Sequence, residues 1–250
     1  MTSDAAPAVT LAQPANTSAK FAAFDSVGNL YVSRGAPGTT SAVVRYKGDD
    51  LAAAAAGMAV TPVPDVTITS PDMMNPAGLA FDDLGNLWVA SSGNDKVLEF
   101  TKANMHIDAN FMGAADIAIT AKSGGNVVSS YTEPVGLAFD KDKNLWVGYI
   151  SNLVKLTVAQ QGTSAELSAP FAITLATGNG FAFDESGGIW TSGPGIGSPS
   201  GQHQFQRIPA AMLAAGTATP DITIDSADLG SVETIVINPA PTWSLLHDSM

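Results

Sequence analysis

The 250-residue chain has no cysteine, which excludes disulfides, thiolate metal centres and cysteine nucleophiles. Charge is scarce: 14% of residues, with 11 Lys and Arg against 23 Asp and Glu. At a formal net charge of −12 there is no basic stripe to displace counterions from a phosphate backbone, so nucleic acid is not an expected partner. Anionic membrane surfaces are disfavoured on the same ground. No run of about 18 apolar residues occurs, so no transmembrane helix is expected. The opening MTSDAAPAVT lacks the basic and apolar regions of a signal peptide. The compartment is left unknown, export included should a signal have been removed. Histidine is rare too. His106, His203 and His247 fall in an insertion, a long loop and the tail, without metal-ligand spacing. There is no G-x-S-x-G, P-loop or dinucleotide fingerprint, and the glycine-rich stretch Gly193–Gly201 joins two strand-like runs instead of opening a helix.

What the chain does have is a repeat. Gly78–Ala90 reads GLAFDDLGNLWVA, with copies at Gly136–Gly148, Phe21–Ser33 and Gly180–Ser192. The anchoring residues Asp25, Asp82, Asp140 and Asp184 stand 57, 58 and 44 residues apart, a period that suits propeller blades better than helical repeats. Each copy carries four strand-like runs. The first two (GLAFD and NLWVA) flank an Asp-x-x-Gly-Asn turn signal. The third runs are Ala42–Tyr46, Lys96–Phe100, Leu153–Leu156 and Gln204–Ile208; the fourth are Pro64–Ile68, Asp116–Ile119, Ala172–Leu175 and Pro220–Ile224. Alanine-rich pieces between them, Leu51–Met58 and Ala210–Gly216, predict one or two helical turns.

The pattern predicts an all-β, five-bladed propeller in one domain, with a fragment of a six-bladed ring as the other count. Residues 1–20 hold a closing strand (Pro7–Leu11), 21–69 the first blade, 70–120 the second, 121–176 the third and 177–225 the fourth. Residues 226–250 hold a partial fifth blade, with Thr234–Asn238 and Thr242–Leu246 as its first two strands. The closing strand is expected to complete that last blade and leave no sheet edge open.

Most of the motif reads as scaffold. Tyr31, Trp88, Trp146 and Trp190 recur in every second strand and predict interblade core. Ala23, Ala80, Ala138 and Ala182 predict close approach near a crowded axis. Asp82, Gly85 and Asn86 are turn residues, suited to local hydrogen bonds and positive φ.

The motif Gly78-Leu-Ala-Phe-Asp82 with Gly85-Asn-Leu-Trp-Val89, and its copies around Asp25, Asp140 and Asp184, resembles the NHL-repeat superfamily with its gluconolactonase-like (senescence-marker-like) propellers. That superfamily includes both binding modules and enzymes. The resemblance implies that the residue before GLAFD and the one ending the second strand face a central pocket. The first position reads Lys20, Ala77, Val135, Asn179 and Glu233; the second reads Arg34, Ser91, Tyr149 and Gly193. Candidate pocket residues are therefore Lys20, Arg34, Ser91, Tyr149, Asn179 and Glu233. In the gluconolactonase-like enzymes an Asn and an Asp at these positions help hold a divalent cation. Here Asn179 and Glu233 are the metal candidates, but the Asp is missing and Lys20 and Arg34 bring positive charge, whereas a hard cation wants six or more oxygens. The expected function is a non-catalytic module that binds a protein partner, glycan or small ligand through its variable loops (Ser70–Ala77, Ser91–Asp95, Ala121–Pro134, Tyr149–Asn152 and Ser192–Gln204), with no cofactor. The alternative is a lactonase-type hydrolase dependent on calcium or another divalent cation.

Overall fold

The computed structural model describes residues 9–11, 18–35, 41–105, 109–122, 131–149, 152–168, 171–174, 180–194, 203–216 and 218–225. It is mostly β, and each repeat delivers at least four strands. The first gives β1 (Ala19–Phe24), β2 (Leu30–Arg34), β3 (Ala42–Tyr46) and β4 (Val66–Thr69). The second gives β5 (Pro76–Phe81), β6 (Leu87–Ser91), β7 (Lys96–Phe100), a two-residue β8 (Phe111–Met112) and β9 (Ile117–Lys122). The third gives β10 (Gly136–Phe139), β11 (Leu145–Tyr149), β12 (Asn152–Leu156), β13 (Ala165–Ser168) and β14 (Phe171–Thr174). The fourth gives β15 (Phe181–Phe183), β16 (Ile189–Pro194), β17 (His203–Ile208) and β18 (Ile222–Asp225). In each of the four sheets, four of these strands form an antiparallel meander. Three short helices, α1 (Gly48–Ala55), α2 (Val158–Gln161) and α3 (Ala210–Ala215), lie between third and fourth strands, two of them in the alanine-rich pieces.

Each first hairpin is organised by its aspartate. The Asp82 carboxylate accepts from Leu84 N at 3.0 Å, Asn86 N at 2.9 Å, Asn86 Nδ2 at 2.9 Å and Trp88 Nε1 at 3.1 Å. Asp140 repeats this set with Asp142, Asn144 and Trp146. In the fourth copy, where glycine replaces Asn, Asp184 keeps the backbone bonds and turns its other oxygen to Arg207 Nε at 2.6 Å. Gly28, Gly85 and Gly187 sit at φ between 78° and 85° in these turns, and Lys143 takes the same place at φ 64°. Carboxylates so fully used are scaffold.

The sheets stack on one another in sequence order through the faces the repeat dictates. Tyr31 meets Phe81 of the next repeat edge-on, with centroids 4.9 Å apart; Trp88 meets Phe139 at 6.3 Å and Trp146 meets Phe183 at 6.2 Å. Around each contact sits an apolar cluster, such as Val97, Ile119, Leu145, Val147 and Val154 between the second and third sheets. Close approach at the innermost strands falls chiefly to a glycine. Gly78 N donates to Val135 O at 2.6 Å, and a Cβ at Gly78 would lie 2.3 Å from that oxygen. Ala23 and Ala138 pack against the first and third interfaces, beside their aromatics.

Two features go beyond the repeat. Strand β8, from the second repeat, pairs parallel with β4 at the outer edge of the first sheet, and β13, from the third repeat, pairs parallel with β9 of the second. Trp190, the fourth aromatic, is only half-buried, and Ile222 and Ile224 on its face are 41% and 49% exposed. Leu11 packs against Val32, Val44 and Tyr46 of the first sheet. The rest of the expected closing strand, Pro7 and Ala8 included, and the expected fifth-blade strands lie outside the described residues, apart from Val9 and Thr10.

Trp88→Ala and Trp146→Ala should each cost about 3–5 kcal/mol in chemical denaturation, and Trp190→Ala measurably less. Gly78→Ala should cost about 1–3 kcal/mol, because backbone rather than a side-chain tip occupies the space.

Candidate functional site

One end of the sheets carries the first-strand starts, the second-strand ends and the loops into each next repeat; the aspartate hairpins lie at the other. Side chains from the first two repeats meet at the first end, and the third repeat joins them through the Glu133 backbone. Lys20 Nζ donates to Asn75 Oδ1 at 2.6 Å. Asn75 Nδ2 donates to Ser92 Oγ at 2.9 Å, Ser92 Oγ to Asn75 O at 2.7 Å, and Asn75 N to Ser41 Oγ at 2.9 Å. Glu133 N donates to Asp95 Oδ1 at 2.7 Å. Desolvation lowers the pKa of the Lys20 ammonium, while the Glu133 carboxylate acts in the opposite direction. Asn75, Asp95 and Glu133 all hold positive φ, 52°, 60° and 57°, and Asn75 and Glu133 each precede a proline, Pro76 at the start of β5 and Pro134 just ahead of β10. Held backbone of this kind fixes where the side chains project.

The residues singled out from sequence are distributed unevenly around this rim. Lys20 belongs to it. Ser91 is fully buried and pins a loop, accepting from Met74 N at 2.8 Å and donating to Met74 O at 3.1 Å. Tyr149 is 1% exposed and packs beside Tyr131, with centroids 5.7 Å apart. Burial, then the nearby Asp95 and Tyr131, push its phenol pKa up. Among the described residues its hydroxyl has no hydrogen-bond partner, and neither has Asn94 Oδ1. Arg34 is buried on the face of the first sheet that carries Val32 and Tyr46, away from Lys20. Asn179 and Glu233 lie outside the described residues. Among the described residues no group of three His, Asp or Glu is arranged to hold a metal ion.

Asn75, Asp95 and Glu133 escape the two-position rule because they lie in the loops themselves. The signal for Asn75 and Glu133 was the Asn-Pro and Glu-Pro pairs just upstream of the inner-strand glycine, a turn signature shared by two repeats.

At the hairpin end the repeat varies in charge. The third-strand residue opposite the aromatic is Arg45, Glu99, Lys155 and Arg207 in turn. Arg45 pairs with Asp65 through two bonds, at 3.1 and 2.6 Å. Arg207 pairs with Asp184 and Asp221. Burial raises the Asp184 pKa, but hydrogen bonds from Arg207, Ser186 and Gly188 outweigh it and hold the carboxyl below its usual range. Glu99 inverts the charge. It is buried, with Asp82 and Asp116 as charged neighbours, and burial followed by these two carboxylates pushes its pKa up to about 7.

No protein-family model matches the sequence, and no curated protein matches it. Solved structures do. A protein of unknown function from Bacteroides caccae is similar at 14% identity and a TM-score of 0.58, covering 90% of this chain and 73% of its own. A protein from Lactobacillus plantarum is similar at 14% identity and 0.55, covering 88% and 60%. The extracellular domain of a putative one-component system from B. thetaiotaomicron is similar at 12% identity and 0.50, covering 84% of this chain and 24% of that one. The chain thus spans less than two thirds of the second and about a quarter of the third. At these identities the likeness is one of fold. With four successive four-stranded meanders stacked face to face, the fold is propeller-like. Among the described residues no helix is long and apolar enough to cross a membrane.

A carboxyl with a raised folded-state pKa favours the fold while protonated. The Glu99 contribution is therefore full below about pH 4.5, falls as pH rises from there towards 7, and is flat above. Glu99→Gln should flatten the stability profile between these limits and stabilise the protein above pH 7 by roughly 1–3 kcal/mol, read by denaturant titration across pH.

Proposed function

We propose that this chain is a non-catalytic recognition module that binds a hydroxyl-rich ligand, a glycan, at the rim formed by Lys20, Asn75, Asp95 and Glu133. The observation that carries this reading is the Lys20–Asn75 bond between the first two repeats, joined by the third repeat's Glu133, whose backbone bonds Asp95 and whose carboxylate acts on Lys20, beside two buried polar atoms unpartnered among the described residues, Asn94 Oδ1 and the Tyr149 hydroxyl. An amide, two carboxylates, an ammonium and neighbouring tyrosines supply the mix of donors and acceptors that sugar hydroxyls pair with. Membership in the NHL-repeat branch and a five-bladed ring are part of the same proposal, supported by the motif and by the half-exposed face beside Trp190 awaiting a further sheet.

A soluble glycan array followed by calorimetric titration tests it. Asn75→Gly removes the side chain while keeping positive φ accessible, and Glu133→Gln removes only a charge. Each should weaken the best array ligand about tenfold or more with little change in melting temperature. An array without binders, or unchanged affinity in both variants, would sink the reading. Calcium-dependent stabilisation that vanishes in Glu233→Gln would replace it with the lactonase alternative through Asn179 and Glu233.

A further inference from the structure

We propose that Arg34 is an anion site that takes a single carboxylate at the rim end of the first sheet, on the face turned away from the second. The chain has three arginines, Arg34, Arg45 and Arg207. Arg45 and Arg207 each reach an aspartate. Arg34 is as buried as Arg45, at 3% exposure, yet it reaches no carboxylate among the described residues. Its Nη2 donates to the Tyr46 hydroxyl at 2.5 Å, its Nε has no acceptor among the described residues, and its guanidinium carbon lies 6.0 Å from the Tyr46 ring centroid.

A guanidinium stays charged at every accessible pH and offers five donors in a planar fork. Among the described residues it meets a neutral acceptor and no carboxylate, which leaves its charge and its Nε uncompensated, a costly state for a buried side chain of this kind. A planar oxyanion meeting the fork with two parallel hydrogen bonds removes both deficits. The surroundings select which anion. Val32, Val44 and Leu30 lie on the same face, and Leu11 packs over them. One positive charge among apolar walls matches a monovalent carboxylate; a phosphate dianion would keep a charge unpaired where water is scarce. The carboxylate can come from a small organic acid or from the C-terminus of a peptide. The site is separate from the Lys20 rim, since alternation along β2 points Arg34 to the opposite face from Ser33, which bonds the Phe21 backbone of β1.

The test is thermal unfolding and calorimetric titration of the full chain near neutral pH. The probes are sodium acetate against sodium chloride at matched ionic strength, and the tripeptide Gly-Gly-Ala with a free or an amidated C-terminus. A saturable stabilisation is expected with acetate or the free peptide, and none with chloride or the amide. Acetate alone would assign the site to a small acid, and the free peptide alone to a chain terminus; both results support it. Arg34→Lys keeps the charge but loses the fork, and should weaken binding at least about tenfold; Arg34→Met should abolish it. If Arg34→Met does not fold, the wild-type titration and Arg34→Lys carry the test. No carboxylate-specific effect in the wild type, or equal affinity in Arg34→Lys, would overturn the assignment.

Discussion

The repeat aspartate is the residue on which the rest of the structure depends. Its two oxygens close the first hairpin through backbone donors and hold the following Asn side chain. In the second and third copies they also accept the indole N–H of the second-strand tryptophan. That last bond lets a polar tip be buried without loss while the ring body faces the neighbouring sheet. Turn, strand pairing and sheet-to-sheet packing thus share one carboxylate, and the edge-on contact with the next repeat's phenylalanine follows from it.

The aspartate's saturation also separates scaffold from surface chemistry. Acidity at the hairpin end is taken up by hydrogen bonds and by Arg45 and Arg207, except where Glu99 inverts the pattern. At the opposite end the start of β1 and the loops bring lysine, amide and carboxylate groups from different repeats close together, the loop residues on backbone at positive φ. A rigid meander beneath variable loops is the arrangement on which recognition surfaces are commonly built.

Much of this was legible in the sequence, for physical reasons. Period-2 alternation in GLAFD and NLWVA sets the sheet face of Trp88 and Phe81 unambiguously, and third strands such as Ala42–Tyr46 and Lys96–Phe100 have the bounds their apolar runs suggest. The alanine-rich pieces form α1 and α3 because propensity meets no competing pairing there. The rim was less legible. Position rules name Arg34 and Lys20 alike, but a bulge between Ala19 and Ala22 and strict alternation along β2 send their side chains to different faces. Asn75 and Glu133 carry no periodic signal, since they lie outside the strands. Likewise nothing in Phe111–Met112 or Ala165–Ser168 announces which sheet those strands join; that is decided by an open edge elsewhere.

The strands β8 and β13 give this architecture a consequence for how the chain assembles. The first sheet is not finished until residues of the second repeat arrive, nor the second until residues of the third do. Successive repeats are overlapped at their outer edges like roof tiles, besides being stacked face to face. Nearest-neighbour coupling in such an array rises, and the boundaries between units cease to be natural places to cut. A chain severed between Met105 and Phe111 would lose more than the units downstream: it would leave behind a sheet with an unpaired rim, prone to strand addition by another molecule. The first three repeats therefore form one cooperative block, in which local opening is expected to spread across neighbours instead of remaining within a single meander.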